Sequence, residues 1–386
     1  MRNASEQSQR RRWRELSVAV AILVAALTLA ACGDNGSGSG SEAPIAKGGK
    51  PTGDVTISNW PGYIDPGKDG TVANFEDATG VKVNYIEDIN DNLQFFGKLQ
   101  PQLESGDSGG RSLFVVTNWM AKQMNDLGYL EQLNHADLKT VFDNIRPEFA
   151  EDDTDPGRKF SVPWQGGLTG IWVDTSKAPE IKSISDLFDP KYKGQVEMLT
   201  EMRDTVPLVM QSMGADPSNF TKEDWMAAID KIKQATDSGQ IRRFTGNEYT
   251  EDLTSGNVVA AIGWSGDASL IGNKNAEWRR PTDGCDTFFD QMVIPVGAPN
   301  TAAALAFMNY AYRPEVQANI AAYVNYVTPV DGVQPILAKK DPELGRDPLI
   351  FPTAASLKGC SGDPDPPGSA KDQQEVTEAF QNVVTG

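Results

Sequence analysis

The chain has 386 residues and a formal net charge of −18 at pH 7. This length is sufficient for two domains. Such an acidic chain repels nucleic acid and anionic lipid headgroups, so the composition argues against both as partners and favours a cationic ligand.

The N-terminal residues have the pattern of an export signal. Arg10, Arg11, Arg12 and Arg14 precede an apolar run over residues 16–31, which ends in small residues before Cys32. This pattern predicts a secretory signal peptide over residues 1–31. A lone transmembrane helix is the alternative, but the run is short and no stop-transfer charges follow it.

The end of the signal resembles a bacterial lipobox, which implies cleavage before Cys32 and lipidation of that cysteine. Residues 32–53 are then the lipidated cysteine and a flexible tether rich in Gly and Ser. We therefore expect a lipid-anchored protein on the outer face of the cytoplasmic membrane, at the cell surface or in a periplasm.

Two cysteines remain after Cys32, namely Cys285 and Cys360. An even number in an exported protein suggests a disulfide, although two separate buried thiols are also compatible with the sequence. The single histidine, His135, lies in a polar segment without a partner for metal or triad chemistry. We expect it at the surface, and we expect neither a metal nor a cofactor.

The first half of the mature chain begins with a strand. Val55 and Ile57 alternate with polar residues, and the predicted strand ends at Trp60 and Tyr63. Open α/β sheets bind ligands at the carboxyl ends of their strands, although two such aromatics can also simply fill the edge of a core. A later buried strand over residues 113–116 ends at Trp119 in the same way.

Short elements lie between these strands. A helix closed by Gly80 is followed by a second strand, and a further helix contains Pro101, which we expect to kink or shorten it.

The second half contains acids and aromatics at comparable positions. Glu201 and Asp204 stand at the start of a helix, where a capping role and a site role are equally supported. Thr221 is predicted to cap a helix that buries Trp225. A strand over residues 258–262 leads to Trp264 and Asp267.

Strands and helices alternate in two chain-discontinuous halves, which predicts an α/β fold of two domains with a cleft between them. The chain first crosses near residues 160–173 and returns at residues 288–296, where Phe288 and Asp290 precede a strand. The predicted first lobe is residues 54–170 plus 290–334, and the second is residues 171–289 plus 335–386.

Aromatics and acids at strand ends suit an elongated cation, whose methylenes lie between rings while its ammonium groups meet carboxylates. A cation–π contact contributes roughly 0.5–2 kcal/mol, and a charge-assisted hydrogen bond roughly 1.5–3 kcal/mol. Two or three of each, less the cost of association, would give micromolar binding at about −8 kcal/mol.

The segments SNWPGYIDP, SDLFDPKYKGQV, GWSGD and FFDQMVIP resemble the spermidine/putrescine-binding proteins of polyamine ABC importers. The resemblance extends from about residue 55 to residue 353. It implies the type 2 periplasmic-binding-protein fold, with hinge crossings between the domains. It also implies a monomeric, non-enzymatic receptor that captures polyamines in its cleft and delivers them to the permease subunits of an ABC transporter.

The resemblance also implies a set of ligand-binding residues. They are Trp60, Tyr63, Trp119, Glu201, Asp204, Trp264, Phe288 and Asp290, with Asp363 as the nearest counterpart of a late family glutamine. The family has Tyr at position 119, Glu at 204 and usually Trp at 288. Cys285 and Cys360 flank the loops that carry Phe288 and Asp363, and we hypothesise a disulfide that joins these loops.

Three other functions are considered. The fold could bind another small solute, such as an amino-sugar, a guanidino compound or a metal chelate, because a fold alone does not choose its ligand. A ligand sensor is equally compatible with the sequence. An enzyme is disfavoured because the sequence has no Gly-x-Ser-x-Gly motif, no metal-spaced cluster and no phosphate-binding glycine loop.

Overall fold

The computed structural model describes residues 43–386, which form one compact unit. The predicted signal peptide, Cys32 and the first part of the tether lie outside the described residues.

Over residues 43–386, nine strands form one mixed sheet. In spatial order they run β2–β1–β3–β9–β4–β7–β5–β6, and β8 pairs with β4. Their bounds are β1 Asp54–Asn59, β2 Lys82–Glu87, β3 Leu113–Thr117, β4 Ser161–Asp174, β5 Val196–Leu199, β6 Ile241–Thr245, β7 Ala260–Trp264, β8 Ala276–Arg279 and β9 Asp286–Val293.

The two longest strands, β4 and β9, connect the two ends of the sheet. They pair antiparallel with each other, β9 also pairs with β3, and β4 also pairs with β7. The sequence predicts the last strand only from Gln291, but β9 begins at Asp286. Because side chains alternate along a strand, Asp286, Phe288 and Asp290 therefore share one buried face.

In the described part of the chain, twelve α-helices cover the sheet. Their bounds are α1 Thr71–Thr79, α2 Asn92–Leu103, α3 Asn118–Asp126, α4 Lys139–Asn144, α5 Pro147–Ala150, α6 Met202–Ser212, α7 Lys222–Asp237, α8 Tyr249–Ser255, α9 Thr301–Ala311, α10 Pro314–Val324, α11 Val333–Lys340 and α12 Ala370–Thr385.

Local sequence signals explain several helix ends. Gly80 ends α1 in the left-handed conformation, and Thr221 forms a capping box with Asp224 at the start of α7, which buries Trp225 as predicted. Of the two effects expected of Pro101, a kink or a shortening, the shortening is wrong, because α2 continues to Leu103. Pro101 stands in the last turn, so its missing amide costs one hydrogen bond near the end of the helix.

Helix packing divides between the two ends of the sheet. Helices α9 and α10 pack against α1, whereas the C-terminal helix α12 packs against α7. Helix α11 packs against α10, and the predicted lobe boundary between residues 334 and 335 falls inside it. The assignment of residues to two lobes stays a prediction.

Cys285 and Cys360 form a disulfide with an S–S distance of 2.00 Å. It joins the start of β9 to the loop that precedes α12, and Asp286 forms a parallel bridge with Ser361 beside it. His135 is exposed and stacks on Phe142. Over residues 43–386, the structure contains no helix of the length and apolar character needed to cross a bilayer.

Candidate functional site

A cavity lies where β1, β3 and β7 end, beside the middle of β9 and near the start of α6. None of the described residues that line it is a lysine or an arginine. The lining residues are Trp60, Pro61, Tyr63, Asn92, Thr117, Glu201, Asp204, Asn247, Trp264, Asp267, Phe288, Asp290 and Tyr326.

Seven of the nine residues predicted to bind ligand line this cavity, namely Trp60, Tyr63, Glu201, Asp204, Trp264, Phe288 and Asp290. Trp119 and Asp363 do not line it. Because the guanidinium of Arg203 lies 3.7 Å from the centroid of the Trp119 ring, that ring already has a cation on its face. Asp363 is 8% exposed and lies beside Asp286, whose Oδ1 accepts a hydrogen bond from the Asp363 amide.

Trp60 and Tyr63 enter the cavity from the turn after β1. Gly62 adopts a φ of +66°, and a side chain at this position would collide with Leu270, so the turn requires glycine. The indole nitrogen of Trp60 donates to the carbonyl of Val115 at 3.1 Å, which fixes the ring. Both aromatics that follow β1 are walls of the cavity, and Trp60 is held by the backbone of the neighbouring strand.

Five aromatic rings make edge-to-face contacts around the cavity. The centroids of Trp60 and Trp264 are 5.7 Å apart, and those of Tyr63 and Tyr326 are 5.0 Å apart. Phe288 contacts Trp264 at 6.3 Å and Tyr326 at 6.0 Å. Such rings provide apolar surface for an alkyl chain and negative faces for a cation.

Glu201 precedes α6, but its side chain does not cap that helix. Its Oε1 accepts hydrogen bonds from the backbone amide of Asn92 at 2.6 Å and from the side-chain amide of Asn92 at 2.9 Å. Asn92 is the first residue of α2, so Glu201 satisfies an unpaired amide at the N-terminus of a different helix. This bond connects residues that the sequence assigns to different lobes.

Asp204 lies in the first turn of α6 and likewise points away from its own helix. Its Oδ1 accepts hydrogen bonds from the Thr169 hydroxyl and from the indole nitrogen of Trp264, the latter at 3.1 Å. Thr169 belongs to β4 and Trp264 ends β7. The carboxyl is therefore fixed in the cavity wall by two neighbouring strands.

Asp290 is connected to Glu201 by a chain of hydrogen bonds. The Thr117 hydroxyl donates to Asp290 Oδ1 at 2.9 Å, and the Asn92 side-chain amide donates to the Thr117 hydroxyl at 2.8 Å. Asn92 also donates to Glu201. Two acids are thus oriented by one buried network that extends from β9 to α6.

Asp267, which the sequence places after a strand among the acids of the cleft but not among the predicted ligand-binding residues, also lines the cavity. It is held by hydrogen bonds from the hydroxyls of Tyr249 and Tyr326 and from the side-chain amide of Asn247, the last at 3.1 Å. The ring of Tyr326 packs directly against Gly266. Any side chain at position 266 would overlap that ring.

Asn92, Asn247 and Tyr326 were missed because no local pattern marks them. Asn92 is a helix start among polar residues, and Asn247 and Tyr326 lie in loops that only the tertiary structure brings to the cavity. Thr117 directly follows the strand predicted over residues 113–116 and could have been found from that position.

Burial raises the pKa of every carboxyl in the cavity. Desolvation raises the pKa of Asp290 to about 7 and those of Asp204 and Asp267 to about 6. The pKa of Glu201 is raised well above its usual value, by burial and then by the nearby Asp91 and Asp204. A cation beside these carboxyls would favour their ionised forms and lower these pKa values.

The arrangement can hold positive charge along an apolar chain. Four carboxyls lie around five rings, and each carboxyl already accepts hydrogen bonds that orient it. Within the described part of the chain, no group of three or more His, Cys, Asp or Glu side chains is arranged to hold a metal ion.

Comparison with known proteins identifies similar chains. Residues 70–352 match the model of a family described as bacterial extracellular solute-binding protein. The chain is 29% identical over 322 residues to the putrescine-binding periplasmic protein PotF of Escherichia coli K12, covering 77% of this chain and 83% of PotF. It is 26% identical over 352 residues to the putrescine-binding periplasmic protein SpuD of Pseudomonas aeruginosa, covering 86% of this chain and 91% of SpuD.

A solved structure of a binding protein is also similar to this chain. The spermidine/putrescine ABC transporter substrate-binding protein PotD of Streptococcus pneumoniae superposes with a TM-score of 0.68 at 26% identity, covering 86% of this chain and 99% of PotD. The predicted α/β fold of the type 2 periplasmic-binding proteins is confirmed.

Proposed function

This chain belongs to the family of bacterial extracellular solute-binding proteins, and we propose that its solute is a polyamine that it delivers to the permease of an ABC importer. One observation carries the proposal. The cavity is lined by Glu201, Asp204, Asp267 and Asp290, while none of the described lining residues is basic. The names of PotF, SpuD and PotD support the same class of ligand.

The geometry explains why a polyamine suits this cavity. The rings of Trp60, Trp264 and Phe288 would contact the methylenes, whereas a neutral sugar would leave four buried carboxyls without a cation. An ammonium near a carboxylate and a ring gains both a charge-assisted hydrogen bond and a cation–π contact. The alkyl chain and the charges of one ligand would therefore both be matched.

The family to which the chain belongs consists of solute-binding transport proteins and is not an enzyme class. We propose that the four acids of the cavity hold charge and have no catalytic role. In the described structure they are oriented by amide, hydroxyl and indole donors, without a histidine or cysteine among the lining residues.

Titration calorimetry of the purified protein tests the ligand. We expect micromolar or tighter binding of putrescine or spermidine and no heat with 1,4-butanediol, which has the same carbon chain as putrescine without its charges. Asp290→Asn should abolish binding, whereas Asp237→Asn, at an exposed carboxylate on α7, should not change it. Folded protein that binds no polyamine would contradict the proposal, and binding of a guanidino compound instead would favour another cationic solute.

We propose further that Cys32 is acylated after removal of the signal peptide and anchors a monomeric receptor to the outer face of the cytoplasmic membrane. The observation is the sequence pattern at residues 10–32, which precedes the described residues. Fractionation of cells that produce Cys32→Ser tests it, since this variant should leave the membrane fraction. Retention of the variant in that fraction would contradict lipid anchoring.

A further inference from the structure

Arg203 is held rigidly against Trp119. Its guanidinium carbon lies 3.7 Å from the centroid of the indole, a close cation–π contact. The same guanidinium donates to Oδ1 of Asp365 through Nη2 at 2.6 Å and Nε at 3.2 Å, and its side chain is only 13% exposed. A ring face and a carboxylate thus fix this cation in one position.

Arg203 and Trp119 are close in sequence to residues that line the cavity. Arg203 is between Glu201 and Asp204 in sequence, and Trp119 follows two residues after Thr117. Glu201, Asp204 and Thr117 all line the cavity, whereas Arg203 and Trp119 do not. Arg203 is a fixed cation near the cavity acids, because its charge and those of Asp204 and Glu201 all act on the same carboxyl, Asp363.

Two further carboxyls are buried and lie near enough to Asp204 for its charge to act on them. Asp286 shares a face of β9 with Phe288 and is 0% exposed, and Asp363 is 8% exposed. Among the described residues, neither oxygen of Asp363 has a hydrogen-bond partner, and the same holds for Oδ2 of Asp286. Burial, then Asp204 and Asp286, raise the pKa of Asp363, while the charge of Arg203 opposes that rise.

We propose that Arg203 is an internal cation that occupies the place of an additional ligand ammonium and so limits the site to short diamines. The inference rests on the proposed polyamine function. A third ammonium that extended past Asp204 would approach a fixed positive charge in a buried environment, where repulsion is weakly screened. Without Arg203, the ring of Trp119 and the unpartnered carboxyl of Asp363 would attract that ammonium.

The test is the ratio of the dissociation constants for putrescine and spermidine, measured by titration calorimetry. The native protein should bind putrescine more tightly than spermidine. Arg203→Gln should shift the ratio toward spermidine by at least about tenfold, while Arg203→Lys, which keeps the charge, should shift it less. Arg146→Gln is the matched control, because Arg146 also pairs with a carboxylate, Glu148, and lies over a ring, Phe149, away from the cavity.

Asp365→Asn provides a second variant, which changes no residue that lines the cavity. Asp365 is 63% exposed, and loss of its charge should release Arg203 and shift the ratio in the same direction by a smaller factor. An unchanged ratio in folded Arg203→Gln and in Asp365→Asn would overturn this inference and leave the proposed polyamine function in place. Native protein that binds neither polyamine would overturn the proposed function and this inference together.

Discussion

The indole nitrogen of Trp264 donates a hydrogen bond to Oδ1 of Asp204 across 3.1 Å, so one aromatic wall of the cavity and one of its acids act as a unit. The tryptophan can therefore contribute to binding in two ways. Its ring offers a face to a cation, and its donor stabilises the ionised form of the carboxyl that the cation needs.

Trp264→Phe separates these two contributions, because it keeps an aromatic ring and removes the donor. We expect the dissociation constant for putrescine to rise by about 10- to 100-fold, from the loss of a hydrogen bond to a charged group worth roughly 1.5–3 kcal/mol. Trp264→Ala should weaken binding further. Trp225→Phe is the control, since Trp225 is buried outside the cavity and its indole nitrogen has no partner among the described residues. A native-like constant for Trp264→Phe would contradict this role.

Affinity should fall as the pH is lowered, because burial raises the pKa of Asp290 to about 7. A ligand ammonium has a pKa near that of lysine, about 10, and remains charged from pH 8 to pH 5. Binding must therefore displace the proton from Asp290 at the lower pH. For this group alone we expect a loss of about 100-fold in affinity between pH 8 and pH 5. Calorimetry in buffers of different ionisation enthalpy should show proton release, and a flat pH profile would contradict the shifted pKa.

The stability of the ligand-free protein should change with pH in the opposite direction. Between pH 5 and pH 8 the folded state binds more protons than the unfolded state, because the pKa values of Asp204, Asp267 and Asp290 are raised to about 6, 6 and 7. The free energy of unfolding therefore increases as the pH falls through this window. Thermal melts should show a higher Tm at pH 5 than at pH 8 without ligand. Asp290→Asn should reduce this difference.

Thr117→Val tests the network that connects Asp290 to Glu201. The substitution preserves shape but removes the donor to Asp290 and the acceptor of the Asn92 amide. We expect the dissociation constant for putrescine to rise by about tenfold, since one charged hydrogen bond is lost and a buried amide hydrogen is left unpaired. The matched control is Thr236→Val on α7, whose hydroxyl bonds only to a carbonyl of its own helix. Equal effects of the two variants would contradict a specific role for the network.

Much of the cavity was predictable because the ends of strands carry local signals. Val55 and Ile57 alternate with polar residues before Trp60, and an apolar run precedes Thr117. Both patterns predict strands, so the aromatics and acids that follow such strands could be placed at the cavity. The start of β9 was missed because the adjacent pair Phe288 and Phe289 hides the alternation of that strand.

Other features depended on contacts between distant parts of the chain. Trp119 follows a strand as predicted, yet Arg203 covers its ring, and nothing local to either residue reveals that approach. Tyr326 reaches the cavity because Gly266 leaves space for its ring. Packing of this kind is specific to the tertiary structure, and a pattern along the sequence carries no signal for it.

The disulfide between Cys285 and Cys360 should stabilise the fold more than it affects the cavity. It closes a loop over a sequence separation of 75, for which the chain-entropy model gives up to about 4 kcal/mol. The neighbouring backbone bonds remain without it, because the Ser361 amide donates to Cys285 and the Thr287 amide donates to Ser361.

We therefore expect the double variant Cys285→Ser, Cys360→Ser to lose up to about 4 kcal/mol of unfolding free energy in urea. Its affinity for putrescine should change by less than about tenfold, since neither cysteine lines the cavity. Native protein should lose stability to a similar extent on reduction, whereas the double variant should be insensitive to reductant. The protein without substitutions can be denatured and its free thiols counted before and after reduction. Equal counts would show that the disulfide does not form.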